Sequence, residues 1–252
     1  QSAVLLLSHV DYKSGALRDM DAITALAQSA GCLVIWDLAH SAGVVDMDLE
    51  ASQVDFAVGC SYKFLNGGPG APGFLYVAKR HQEVQNPLPG WMGHARLFDF
   101  EAQYEAAPGI KRFLTGTQSI LALSAVSASL SVFEGLAMQD VRARSLALTR
   151  HFITRWEQSS VLQSHAALVT PIDDAQRGSQ VSLALESAFP VSQALIADGV
   201  IVDFREPNIV RFGFSPLYNT FSDANQAIAA LEAVLTSERY SLPQFQIRST
   251  VT

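Results

Sequence analysis

The sequence predicts an α/β fold: a mostly parallel sheet occupies the first part, and a smaller α+β domain follows it. Three observations carry this prediction. Apolar runs of strand length recur through the first third, with a helical pattern between the first two, which is how a sheet covered on both faces reads. Of the 252 residues, 49% are hydrophobic and 16% charged, so the chain can bury a core of two-domain size and is not a disordered sequence. Past residue 160, short strands interleave with helices, a different rhythm from the opening.

Taken in order, residues 3–10 read as a buried strand. Asp19 and Asp21 are placed to cap a helix that runs to about Ala30, where Gly31 stops it. Further strands are expected at 32–38, 54–62 and 73–78. Residues 80–116 are irregular, broken by Pro87, Pro89, Gly90, Gly93, Pro108 and Gly109, and so long a loop region in a compact protein is usually functional. The nearly uncharged stretch 118–136 reads as a long buried helix, and 140–157 as an amphipathic one. Strands follow at 166–170, 180–186, 200–204 and 209–214, with helices at 190–198 and 222–238. The domains are expected at 1–125 and 126–252, with the boundary inside the 118–138 helix. No internal repeat is visible.

A net charge of −7 and the absence of a basic stripe exclude a nucleic-acid partner, because phosphate neutralisation needs clustered Lys and Arg. The longest apolar stretches are too short to span a bilayer, and no export signal is apparent, so no membrane association is expected. Cys32 and Cys60 lie in apolar runs and read as small buried hydrophobes, which makes a reduced, cytoplasmic setting the default. No metal site is expected.

The candidate chemistry sits at strand ends, where open α/β sheets bind ligands. The first strand ends Ser8-His9-Val10-Asp11-Tyr12, the second Trp36-Asp37-Leu38-Ala39-His40, and the third Ser61-Tyr62-Lys63, just before the breaker cluster Asn66-Gly67-Gly68-Pro69-Gly70. A lysine there loses hydration, which pushes its pKa toward the nucleophilic free amine of a Schiff-base lysine. An acid following Leu33-Val34-Ile35-Trp36 is costly unless paired. Alone, Lys63 reads as a snorkelling strand-end lysine, Asp37 as a helix cap and His40 as a structural histidine. Together, a carboxylate and an amine on adjacent strand ends are what pyridoxal phosphate needs: one holds the ring nitrogen and the other the aldehyde.

Several stretches then carry a resemblance. Asp37-Leu38-Ala39-His40-Ser41-Ala42-Gly43 and Cys60-Ser61-Tyr62-Lys63-Phe64-Leu65-Asn66-Gly67-Gly68-Pro69-Gly70 resemble the kynureninase family. So do Gly90-Trp91-Met92-Gly93-His94, Phe113-Leu114-Thr115-Gly116-Thr117 and Ile209-Val210-Arg211-Phe212-Gly213-Phe214-Ser215-Pro216-Leu217-Tyr218. The first two are shared in outline with related lyases and desulfurases; Trp-Met-Gly-His and the arginine motif are more specific. The resemblance implies a fold type I (aspartate-aminotransferase-like) enzyme, here part of the large domain plus the small domain. It implies pyridoxal 5'-phosphate as cofactor and hydrolysis of L-kynurenine, or 3-hydroxykynurenine, to anthranilate and L-alanine in tryptophan degradation and NAD biosynthesis. By the same resemblance Lys63 is the Schiff-base lysine, Asp37 the partner of the pyridine nitrogen, and His40 and Ser8 parts of the cofactor shell. Tyr62 hydrogen-bonds the phosphate and relays a proton late in the reaction. Trp91 and Thr117 reach the phosphate of a neighbouring subunit, which implies a homodimer with shared sites. Arg211 grips the α-carboxylate of the amino-acid substrate.

The chain departs from the family at its start. It opens Gln1-Ser2-Ala3-Val4-Leu5-Leu6-Leu7, without an initiator Met, straight into a strand, and reads as truncated at its N-terminus. Family members carry a preceding stretch that supplies the amides cradling the phosphate, an aromatic stacked on the ring and a further acid. The expectation is that this chain alone binds the cofactor weakly and turns over little. Two rivals stand beside this reading. One is another fold type I enzyme, a cysteine desulfurase or aminotransferase; against a desulfurase, the cysteines lie in strands and Tyr62, not His, precedes Lys63. The other is a non-catalytic truncated fragment.

Overall fold

A computed structural model describes residues 3–248; Gln1 and Ser2 of the opening lie outside the described residues. Two compact units emerge. The first comprises the chain to His9, Asp19–Ala42 and Met47–Glu134; the second comprises Val10–Arg18, Gly43–Asp46 and the chain from Gly135 onward.

The first unit is built on a four-stranded sheet in the order β1 (Ala3–Ser8), β2 (Cys32–Asp37), β3 (Phe56–Cys60), β4 (Gly73–Val77). The first three strands are parallel and β4 is antiparallel to β3. Asp19 accepts a hydrogen bond from the Ala22 amide and so caps α1 (Met20–Ser29), the crossover from β1 to β2. Met20 and Ala27 from α1 pack with Val34, Trp36, Leu38, Val54 and Ala57, while the Trp36 indole donates to buried Thr24 at 2.9 Å. This burial fixes which side chains of each strand face inward.

Three expectations fail in this unit. Among the described residues the sheet is covered on one face only, since Val4 is 58% and Leu6 61% exposed. Side chains alternate along a strand, and α1 covers only the face that Leu5 and Leu7 share. Nor is the expected buried helix buried. It forms as α2 (Ile120–Leu130) with a 3₁₀ turn over Ser131–Phe133, but none of its residues is buried, and Leu121 is 86% exposed. Its composition is apolar all round, which sequence reads as burial whether or not a covering surface is near. Cys32 and Cys60 are free thiols, partly rather than fully buried, because each sits at a strand end.

The second unit is an antiparallel sheet in the order β5 (Ala167–Leu168), β6 (Gln180–Ala184), β8 (Ile209–Gly213), β7 (Asp203–Arg205). Its helices are α3 (Met138–Gln158), α4 (Ser160–His165), α5 (Ala188–Ala197), α6 (Phe221–Thr236) and α7 (Pro243–Gln246). Leu148, Phe152, Val181, Leu183, Leu195, Val210, Phe212 and Leu231 make its core. Thr220 and Asp223 form a reciprocal capping box at the start of α6. The short helices α4 and α7 were not legible as helices; Ser159 caps α4 through the Leu162 amide, and Leu162 is fully buried. Among the described residues, no single helix is long and apolar enough to cross a membrane.

Candidate active site

Parallel order places the carboxyl ends of β1, β2 and β3 side by side, and the polar residues of the first unit collect there. Ser8 pairs in register with Asp37, and its Oγ donates to Asp37 Oδ2 at 3.3 Å. Asp37 Oδ1 accepts the Ala39 amide at 2.8 Å, which turns the chain out of β2 and carries His40 over the strand end. Each carboxylate oxygen keeps acceptor capacity, and among the described residues no cation forms an ion pair with Asp37.

Lys63 follows β3 in a loop that a short set of bonds holds in shape. Ser61 donates through Oγ to the Pro72 carbonyl at 2.6 Å, the Gly67 amide reaches the Ser61 carbonyl at 2.8 Å, and the Asn66 amide reaches that of Lys63 at 2.9 Å. Asn66, Gly68 and Gly70 all have positive φ, a conformation that glycine and, less readily, asparagine adopt. The breaker cluster thereby turns the loop so that Lys63 folds back over the sheet end. Its Nζ lies 3.2 Å from His40 Nε2 and 5.4 Å from the centre of the Tyr62 ring. The strand-end cluster thus holds two contact groups, Ser8 with Asp37 and Lys63 with His40 and Tyr62, at the ends of neighbouring parallel strands.

Trp91 and Thr117 are not part of that cluster. Trp91 lies half-exposed in a 3₁₀ turn, Trp91–Gly93, and Thr117 is exposed. The two motifs are nevertheless pinned to each other. The Met92 amide donates to the Thr115 carbonyl at 3.2 Å, and a side chain at Gly90 would collide with the Thr115 backbone. His94, Phe100 and Tyr104 share a concave surface with Trp91, and Tyr104 donates to the Gly93 carbonyl at 2.9 Å.

Arg211 belongs to the second unit, on β8, and is 8% exposed. It is not the surface ion pair that its residue type alone suggests. Its Nε and Nη2 each donate to Asp203 at 2.5 Å, and its Nη1 donates to the Tyr12 carbonyl. Asp203 sits directly opposite on β7.

Sequence reasoning missed a charged node at the far end of β3 from Lys63. The Asp55 side chain is 4% exposed and accepts from the Val34 amide at 2.9 Å, Gln28 at 3.1 Å and Arg80 at 2.7 Å, with His81 also 2.7 Å away. Burial by itself would raise its pKa; the hydrogen bonds from His81, Val34, Gln28 and Arg80 outweigh that and lower it to about 2. The signal was present, since Asp55 lies between Val54 and Phe56 as Asp37 lies beside Trp36.

Comparison with solved structures defines the class. A cysteine desulfurase from Thermococcus onnurineus NA1 superposes with a TM-score of 0.77 at 18% identity, covering 93% of this chain and 60% of that one. The cystine C-S lyase C-DES, in complex with cysteine persulfide, gives 0.79 at 19%, covering 91% and 61%. An alanine–glyoxylate aminotransferase from Nostoc sp. gives 0.70 at 22%, covering 92% and 62%. The fold is therefore fold type I, a mixed α/β architecture with a mostly parallel sheet. Within that class, residues 141–231 match the kynureninase C-terminal domain. The chain is 47% identical over its whole length to the kynureninases of Burkholderia mallei and Pseudomonas fluorescens, and spans 61% and 60% of them respectively.

Proposed function

We propose that this chain is the part of a kynureninase that carries the lysine, the pyridine-nitrogen acid and the substrate-carboxylate arginine, and that the whole protein hydrolyses L-kynurenine to anthranilate and L-alanine. The observation that supports this most is the pairing of Lys63 with His40 and of Asp37 with Ser8 at neighbouring strand ends, in a chain similar end to end to kynureninases. Asp37 fits the cofactor: it has a hydrogen-bonded carboxylate with acceptor capacity to spare and no competing cation among the described residues. When bound, pyridoxal phosphate supplies an electron sink for the substrate α-carbon.

In this reading Lys63 would hold the cofactor through its amine and, when free of it, would take the substrate α-proton. His40 orients the Lys63 amine from 3.2 Å, and Ser8 fixes the Asp37 carboxylate. Tyr62 bonds the phosphate and returns a proton late in the reaction. Water adds to the γ-carbonyl and the bond between Cβ and Cγ breaks, so that the carbonyl carbon leaves as the anthranilate carboxylate and Cβ gains a proton to become the alanine methyl. Arg211 holds the α-carboxylate, a role that suits a planar guanidinium.

Trp91 and Thr117 serve the cofactor phosphate of a second copy in a homodimer, a reading that their exposure supports. The apolar, uncovered residues Ile120 and Leu121 also support a partner surface. A cytoplasmic place in tryptophan degradation completes the proposal. The test is anthranilate fluorescence after kynurenine and pyridoxal phosphate are added to the whole protein of which this chain is part, with 3-hydroxykynurenine run in parallel. Release of an aromatic acid supports the reading; sulfide release from cysteine without it would transfer the assignment to a desulfurase.

A further inference from the structure

Arg211 is held along its Nε–Nη2 edge by a carboxylate and at Nη1 by a carbonyl. A guanidinium has five N–H donors. Nε and Nη2 each spend one on Asp203, and Nη1 spends one on the Tyr12 carbonyl. One N–H on each Nη is left, the pair that a carboxylate takes side by side. The clamp is built into the sheet, because Asp203 and Arg211 are directly opposed residues of β7 and β8. Gln180 on β6 fixes the third point by donating to the same Tyr12 carbonyl at 3.1 Å. Arg205 lies 3.7 Å from Asp203, so two cations share one anion and the group carries a positive charge that an incoming carboxylate would neutralise.

We infer that Asp203 is a positioning residue, which fixes the plane of Arg211 so that its free edge meets the substrate carboxylate. This rests on the reading of Arg211 as the carboxylate anchor. The opposing possibility is that Asp203 is a stand-in carboxylate that substrate must displace, and the two differ in sign. If Asp203 positions Arg211, Asp203→Asn raises KM for kynurenine; if Asp203 competes for Arg211, the same change lowers it.

Asp203→Asn is expected to raise KM about tenfold with kcat held within about twofold, as loss of one charged hydrogen-bonding partner implies. Asp203→Glu recovers most of the loss, and inhibition by kynuramine, which lacks the carboxylate, is unchanged. A lowered or unaltered KM, or a loss of kcat that Asp203→Glu does not rescue, overturns the inference. A second arm does not depend on turnover. In ¹⁵N-arginine-labelled protein, the Arg211 Nε–H signal, assigned through Arg211→Lys, is expected to be slowly exchanging in the wild type and fast in Asp203→Asn, with weaker perturbation by L-alanine. Equal exchange and equal response in the two proteins overturn it. The kinetic arm uses the whole protein of which this chain is part; if that protein releases no anthranilate, the kynureninase reading has failed, and the labelling arm alone decides the role of Asp203.

Discussion

Asp55→Asn removes one charge from the point that sets β2 against β3, and its cost follows from the geometry. The carboxylate ties the Val34 amide, three residues before Asp37, to the Arg80–His81 turn that follows β4. Its pKa falls from 3.8 to about 2 on folding, equivalent to about 2 kcal/mol of stability. The sign is that of a depressed acid: the stability is fully present above the unfolded value of 3.8 and is lost as pH falls toward about 2. The asparagine oxygen can still accept from Val34, so the charge is the main loss. The variant should be less stable at pH 7 by about 2 kcal/mol, lowering Tm by about 4–8 °C for a protein of this size. Urea unfolding followed through the buried Trp36, repeated from pH 7 down to 2.5, measures the difference between the two proteins. That difference should hold steady to about pH 4 and then close. A difference below about 0.5 kcal/mol at neutral pH, or one that does not shrink in acid, would refute the assignment of Asp55 as a charged register pin.

Three further outcomes are expected, the kinetic ones in the whole protein of which this chain is part. Arg211→Lys keeps the charge but loses the fork, so KM for kynurenine should rise by about tenfold or more, read from initial rates. Asp37→Asn leaves the Ala39 turn intact yet cannot hold a protonated ring nitrogen; kcat should fall by at least about tenfold while the circular dichroism spectrum is unchanged. Leu121→Glu on the uncovered helix α2 should change the unfolding free energy by less than about 0.5 kcal/mol, but shift a sedimentation profile toward monomer.

Much of the fold was legible because local signals and burial agreed. Asp19 caps α1 as its position beside a periodic apolar pattern implied, and β1 and β2 lie within runs of Val, Leu and Ile. The polar contacts at the strand ends of the first unit were legible for a related reason. A charged residue inside an apolar run advertises a partner, and parallel order then brings the strand ends together. What sequence could not give is which element covers which. Helix α2 carries the composition of a core helix but exposes its apolar side chains, since composition reports the need for cover and not its source. Long-range charge pairing was equally hidden. Arg177 is fully buried, where Asp174, Thr149 and the carbonyls of Pro171 and Ile172 satisfy it, and nothing local marks it as different from the exposed Arg155 nearby. Asp203 escaped notice because its significance comes only from facing Arg211 across a strand pair.

The proposed chemistry stands on one amine. Protein incubated with pyridoxal phosphate, reduced with borohydride and digested should carry a single pyridoxyl group, located by mass spectrometry on Lys63 and lost in Lys63→Ala. A pyridoxyl group on Lys13, Lys79 or Lys111 instead, or labelling that survives Lys63→Ala unchanged, would contradict it.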